Sequence, residues 1–148
     1  MIRPLAILTC GGPGYAECGR VFSVLDEINE VTPVSVLMHG ACGWDADNPG
    51  SQRLFRLEGA DRIAEDWARV NGIKTDRWLV RSRYGHGSRI VRDTAMVMML
   101  DHRRRCDGHA ALVLAFPDAI DTTGTVAFAR HLLLPVREIR ASSAQEGT

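Results

Sequence analysis

The chain is 148 residues long, 45% apolar and 24% charged, with 18 basic side chains against 18 acidic ones and a net charge of zero. That length predicts one ordinary domain able to bury its core without staples, and the charge balance excludes a global field attracting nucleic acid or an anionic membrane. No apolar run approaches the roughly 20 residues that cross a bilayer, and the N-terminal apolar stretch meets glycines too early for a secretory signal, so the expected compartment is the cytoplasm.

Five short apolar runs alternate with four helix-like patterns, the signature of a parallel sheet covered on both faces. The first strand is predicted at Leu5 to Thr9 and leads through Cys10-Gly11-Gly12-Pro13-Gly14 into a helix that should bury Cys18, Val21, Phe22, Leu25 and Ile28. A second strand, Val34 to Met38, runs into His39-Gly40-Ala41-Cys42-Gly43. The segment from Trp44 to Glu58, with Asn48-Pro49-Gly50-Ser51 at its centre, fits no regular element and is expected to form a lid or interaction flap.

The second helix should bury Ala60, Ile63, Ala64 and Trp67 and stop at Asn71-Gly72. Lys74 to Val80 reads as the third strand. A third helix starting near Ser88 is expected to turn Val91, Thr94, Ala95 and Met98 inward. The fourth strand, Ala111 to Phe116, passes through Pro117-Asp118-Ala119-Ile120-Asp121-Thr122-Thr123-Gly124-Thr125 into a helix carrying Val126, Ala129, Leu132 and Leu133 inward. Pro135 to Ile139 completes the sheet, and the small polar residues 141–148 form a tail expected to fray, leaving residues 1–140 as the domain.

Cys10, Cys18, Cys42 and Cys106 form no C-x-x-C pair and match no histidine cluster, so neither a zinc site nor any other metal site is expected. Seven arginines lie between Arg81 and Arg105, where the acids are Asp93 and Asp101. Arginine grips phosphate with a planar fork, although a solvated helix end at Arg103-Arg104-Arg105 accounts for part of this excess.

In open parallel sheets a ligand lies beyond the carboxyl ends of the strands, where strand order reverses. For the order 3-2-1-4-5 that point falls between the first and fourth strands, and there the loop of Gly11, Gly12 and Gly14 faces the loop of Thr123, Gly124 and Thr125, with His39, Gly40 and Gly43 along the rim. Loops without side chains let backbone N–H groups reach phosphate, and the helix N-terminus behind each adds partial positive charge.

His39-Gly40-Ala41-Cys42-Gly43, followed by Gly59-Ala60-Asp61 and Ala64-Glu65-Asp66-Trp67-Ala68, resembles the H-G-x-x-x-G-A-D…A-x-x-W-A signature of the YspA-like branch of the SLOG superfamily. The likeness continues through Gly87, Arg92 and Met96, and through Ala115-Phe116-Pro117 with Gly124-Thr125, similar to the family's A-F-P-G-G-x-G-T. It implies a three-layer Rossmann-like domain that binds or senses a nucleotide or nucleotide-derived ligand, with no certain cofactor. Carried onto matching positions, Gly11 and Gly12 shape the first phosphate loop, Arg92 contacts phosphate or ribose, and Gly124 and Thr125 hold a phosphate beside Pro117. Asp61 fits equally a ligand contact or a plain helix start, and His39 a ligand contact or a hydrogen bond to its neighbours.

The related LOG enzymes split nucleoside monophosphates and carry a glutamate where this chain has Phe128, and a carboxylate is the natural partner of an oxocarbenium-like centre. The alternative to a binding domain is a nucleotide-processing hydrolase, an N-glycosidase or phosphohydrolase acting on NAD-like or nucleoside-phosphate-like substrates. Its available carboxylates are Glu17, Asp45, Asp118 and Asp121. A third reading is an interaction module that has lost its ligand. Met96 to Met99 and Leu132 to Leu134 on outer helices suggest apolar surface for a homodimer.

Overall fold

A computed structural model describes residues 3–12, 14–41, 44–48, 57–117 and 123–140. Among these, β1 (Leu5–Cys10), β2 (Val34–His39), β3 (Lys74–Arg77), β4 (Ala110–Ala115) and β5 (Val136–Glu138) form one sheet in the order β3-β2-β1-β4-β5. Every pairing is parallel. The helices are α1 (Cys18–Val31), α2 (Gly59–Val70), α3 (Ser88–Cys106) and α4 (Thr123–His131), with a short 3-10 segment at Ser82–Gly87. The α/β architecture and strand order expected from the sequence are therefore present. No helix among the described residues is long and apolar enough to cross a membrane.

Alternation along the strands divides the core into two layers. Leu5 and Ile7 of β1, Leu37 of β2 and Leu114 of β4 face Val21, Val24 and Leu25 of α1 and Ala60, Ile63, Ala64 and Trp67 of α2. Ala6, Leu8 and Cys10, with Val36, Met38, Val113 and Ala115, face Met96, Val97 and Leu100 of α3 and Val126 and Ala129 of α4. Trp67 is fully buried, and its indole N–H donates to Asp26 of α1 at 2.8 Å, tying the two helices of one layer together. α2 ends as expected: Asn71 caps it and Gly72 takes a φ of 67°, which costs glycine little.

Several inward faces differ from the periodicity reading. In α1, Cys18 is exposed, while Val24 joins Val21 and Leu25 on the buried face. In α3 the buried residues are Met96, Val97, Leu100 and Asp101, while Val91 and Met98 are largely exposed. The first turns of this 19-residue helix extend past the carboxyl edge of the sheet, so its phase is fixed by the later turns that cover strands. In α4, Leu133 is exposed and Leu134 buried. Leu133 takes a φ of 61° just beyond the helix, and the N–H of Leu134 reaches back to Ala129 O at 3.0 Å, a left-handed helix ending that turns Leu133 outward. Met96, for which core or dimer packing was expected, and Leu134, expected as spare apolar surface, thus belong to the core.

The strand limits also shift. β3 stops at Arg77 rather than Val80; beyond it Trp78 N–H donates to His39 O at 2.9 Å, and Val80 forms only an isolated bridge with Asp45. β5 is shorter than expected, although Ile139 N–H still bonds Ala115 O at 2.8 Å.

Candidate functional site

The sheet reverses between β1 and β4, and the loops leaving these strands touch. Gly12 N–H donates to Pro117 O at 3.4 Å and Phe116 N–H to Cys10 O at 2.8 Å, so the start of the β1 loop lies directly on Phe116 and Pro117 at the end of β4. A Cβ at Gly11 would come within 2.8 Å of the Ala60 Cβ and 3.2 Å of the Phe116 Cβ, so only glycine lets the first turn of α2 close onto both strand ends. Tyr15 is buried beneath the loop with its ring 5.6 Å from that of Phe116, a contact absent from the sequence reading. Gly14 is exposed and has nothing near its Cβ direction.

α4 begins beyond the same carboxyl edge, after β4, and packs on the opposite face of the sheet from α1 and α2. Gly124 is exposed with open space at its Cβ direction, Thr125 is buried, and the first turn carries no acidic residue. Thr123 opens the helix. This terminus keeps its N–H dipoles uncompensated by acidic side chains of that turn, a favourable setting for an anion.

Two strands away the end of β2 is occupied by the protein's own side chains. His39 is fully buried; its Nδ1 accepts the Ala41 N–H at 2.9 Å, so the ring proton sits on Nε2, which donates to Glu65 Oε1 at 3.0 Å. Arg77 closes a two-pronged pair on Glu65 at 2.6 and 2.7 Å, and its guanidinium lies 4.7 Å from the ring centre of Trp44. Burial pushes the Glu65 carboxyl up, but hydrogen bonds from His39 and Arg77 outweigh it and hold the group at about 2. Ala41 takes a φ of 50°, a left-handed conformation uncommon for alanine, and its bond to His39 accompanies that turn.

Arg92 fills the next position along the rim. Its guanidinium donates to Gly40 O, to Trp78 O at 3.4 Å, and to Asp93 at 2.5 Å, and the side chain is mostly buried. A Cβ at Gly40 would lie 2.5 Å from Arg92 Nη1, so Gly40 is glycine to admit the guanidinium. Arg92 therefore reaches the strand carboxyl ends as expected, but it is bound to main-chain carbonyls there. Asp61 lies buried in the first turn of α2. Burial pushes the Cys10 thiol strongly up, and Asp61, Asp93 and Glu138 add to this, which puts these carboxylates within electrostatic reach of the end of β1.

The described ends of the Trp44 to Glu58 segment are docked. Ala46 N–H donates to Val80 O at 2.8 Å, Asp45 accepts from Asp47 and Ser82, and Leu57 is buried. The backbone N–H of Asp47 and a hydrogen bond from the Ser82 side chain hold the Asp45 carboxyl below the usual range, so this carboxylate serves as a turn anchor. Glu17 is the N-cap of α1 without a side-chain capping bond. Gly43, Asp118, Asp121 and the centre of the insertion fall outside the described residues. Phe128 is partly buried against the layer formed by α3 and α4.

Glu65 and Arg77 were missed by the motif reading. The signal was available, since Asp61, Ala64, Glu65 and Ala68 share one buried helical face and a carboxylate on such a face demands a partner. Comparison of the chain with models of protein families, with curated proteins and with solved structures found no match.

Proposed function

We propose that this protein binds a nucleotide or nucleotide-derived ligand, with its phosphates at the carboxyl ends of β1 and β4. The observation that carries this reading is the contact of the glycine loop after β1 with Pro117 after β4 at the point of strand reversal, with α4 following β4 and carrying no acid in its first turn. The motif likeness to the YspA-like branch of the SLOG superfamily leads to the same ligand class. Of the three carboxylates near the end of β1, Asp93 is paired with Arg92 and Glu138 lies 3.5 Å from Arg130, while Asp61 sits buried in the first turn of α2.

A binding role is favoured over hydrolysis by Phe128, an apolar ring packed on the core at the position where the LOG enzymes carry their glutamate. An oxocarbenium-like centre finds no carboxylate there. The test is thermal melting of the purified protein with AMP, ADP, ATP and NAD, followed by chromatography of each mixture for released base. The reading expects a ligand-dependent rise in Tm without turnover. Multiple turnovers that disappear on mutation of Glu17 or Asp121 would replace it with the hydrolase.

A further inference from the structure

Between the chain leaving β3 and the first turns of α3 lies an open groove of about 150 Å³, walled by Trp78, Leu79, Tyr84, Val91 and Ala95. We propose that this groove binds a small monocyclic aromatic carboxylate, with the ring against Trp78 and Tyr84 and the carboxylate on Arg81. No phosphate and no residue of the loops after β1 and β4 takes part, so the proposal stands independently of the nucleotide reading.

Size sets the ring. Pockets for whole drug-sized ligands usually enclose roughly 300–1,000 Å³, whereas a space of about 150 Å³ accepts a benzene-sized molecule. Ala95 keeps that space open, since it stands one turn after Val91 on α3 and adds only a methyl group to the wall. The walls are in place before any ligand arrives. Trp78 packs on the core, its indole N–H donates to Asp76 at 3.0 Å, and Asp76 is held by Arg103 at 3.1 Å. The segment bearing Tyr84 is pinned to the start of the insertion, with Ser82 N–H on Asp45 at 3.1 Å and Arg83 N–H on Asp47 at 2.9 Å. Tyr84 is nevertheless 51% exposed and Val91 46%, so each keeps uncovered surface. An aromatic guest gains from ring contacts beyond the area it buries, and fixed walls leave little ordering to be lost on binding.

Charge selects the substituent. Arg81 and Arg92 line the groove, and among the described residues no acid does. Arg92 is already committed, to Asp93 at 2.5 Å and to the carbonyls of Gly40 and Trp78. Arg81 is exposed, and its side chain makes no hydrogen bond or ion pair among the described residues. The groove therefore carries one uncommitted positive charge. A guanidinium offers a carboxylate two parallel donors, so a singly charged aromatic acid matches both the space and the charge, whereas a neutral ring leaves Arg81 unused and a cationic ring is repelled.

The experiment is calorimetric titration of the native protein with benzoate, benzamide, cyclohexanecarboxylate and acetate. Benzoate is expected to bind once per chain, with a Kd of about 1 mM or below for so small a ligand. Benzamide keeps the ring without the charge and cyclohexanecarboxylate the charge without the aromatic face, so each should bind severalfold more weakly, and acetate not at all. Arg81→Gln, at an exposed position, should lower benzoate to the affinity of benzamide and leave benzamide unchanged. Val91→Trp, which fills the groove from an exposed helix position, should abolish both, and ligand-free melting of the two variants reports their folding. Equal affinity for benzoate and cyclohexanecarboxylate, benzoate binding that survives either substitution unchanged, or no benzoate binding at millimolar concentration would overturn the inference.

Discussion

One flank of the carboxyl edge and its centre solve opposite problems. At β2 and β3 the polar groups are matched to one another: His39 to Glu65, Glu65 to Arg77, Arg77 to Trp44, and Arg92 to Gly40 and Trp78. At β1 and β4 the chain offers glycines and helix turns with few side chains. The first region is a brace built from charges that satisfy themselves; the second is built mainly from backbone, small residues and the Tyr15–Phe116 ring contact. Arginine number alone therefore says little about phosphate binding, since an arginine already committed to carbonyls has less to offer a ligand.

The contrast is broken most severely at Glu65. Glu65→Ala strands the buried His39 ring and the Arg77 guanidinium, and should destabilise the fold by about 3–5 kcal/mol in urea unfolding. A loss under 1 kcal/mol would mean that the brace is ornamental.

Gly11→Ala should come next, at about 1–3 kcal/mol, because its Cβ meets the Ala60 and Phe116 Cβ atoms rather than a mobile side chain. Gly124→Ala is the matched control. With open space at the Cβ direction it should leave stability unchanged or raise it by up to about 1 kcal/mol, as expected for glycine replaced by alanine in a helix. Equal costs at the two glycines would erase the distinction between a packed loop and an open one.

Acid supplies a graded version of the first test. The folded Glu65 carboxyl lies at about 2, below its ordinary value near 4.5, so its contribution is fully present above pH 4.5 and is lost as pH falls toward 2. The loss should be on the order of 2–3 kcal/mol in that window, and Glu65→Gln should flatten that part of the stability profile. The smallest effect is chemical: the buried Cys10 thiol, with its ionisation suppressed, should resist iodoacetamide at neutral pH while exposed Cys18 and Cys106 react. Peptide mass mapping of the alkylated native protein would show which sites react.

How much of this was legible in the sequence follows from which interactions are local. Alternating apolar runs and helical faces revealed the parallel sheet and the buried face of α2, because burial on both sides of a strand leaves a continuous apolar run, whereas the strand order came with the Rossmann-like reading. The glycine loops were legible for a related reason, as each follows a strand directly. The phase of α3 was not, since Val91 and Ala95 keep helical spacing although the buried positions of the helix begin only at Met96. Nor was the role of Arg92: its acceptors, Gly40 O and Trp78 O, are main-chain atoms 52 and 14 residues away that no side-chain pattern marks. The Glu65 brace lay between these cases, visible as a misplaced charge but without named partners.

The central claim is that the β1/β4 crevice, and not the charged brace, receives the phosphates. Backbone amide mapping by two-dimensional nuclear magnetic resonance during titration with ADP tests it most directly. The account predicts that the largest shifts fall on Gly11, Gly12, Gly124 and Thr125, with those of His39, Glu65 and Arg77 small. Shifts centred on the brace, or none at millimolar ADP, would contradict it.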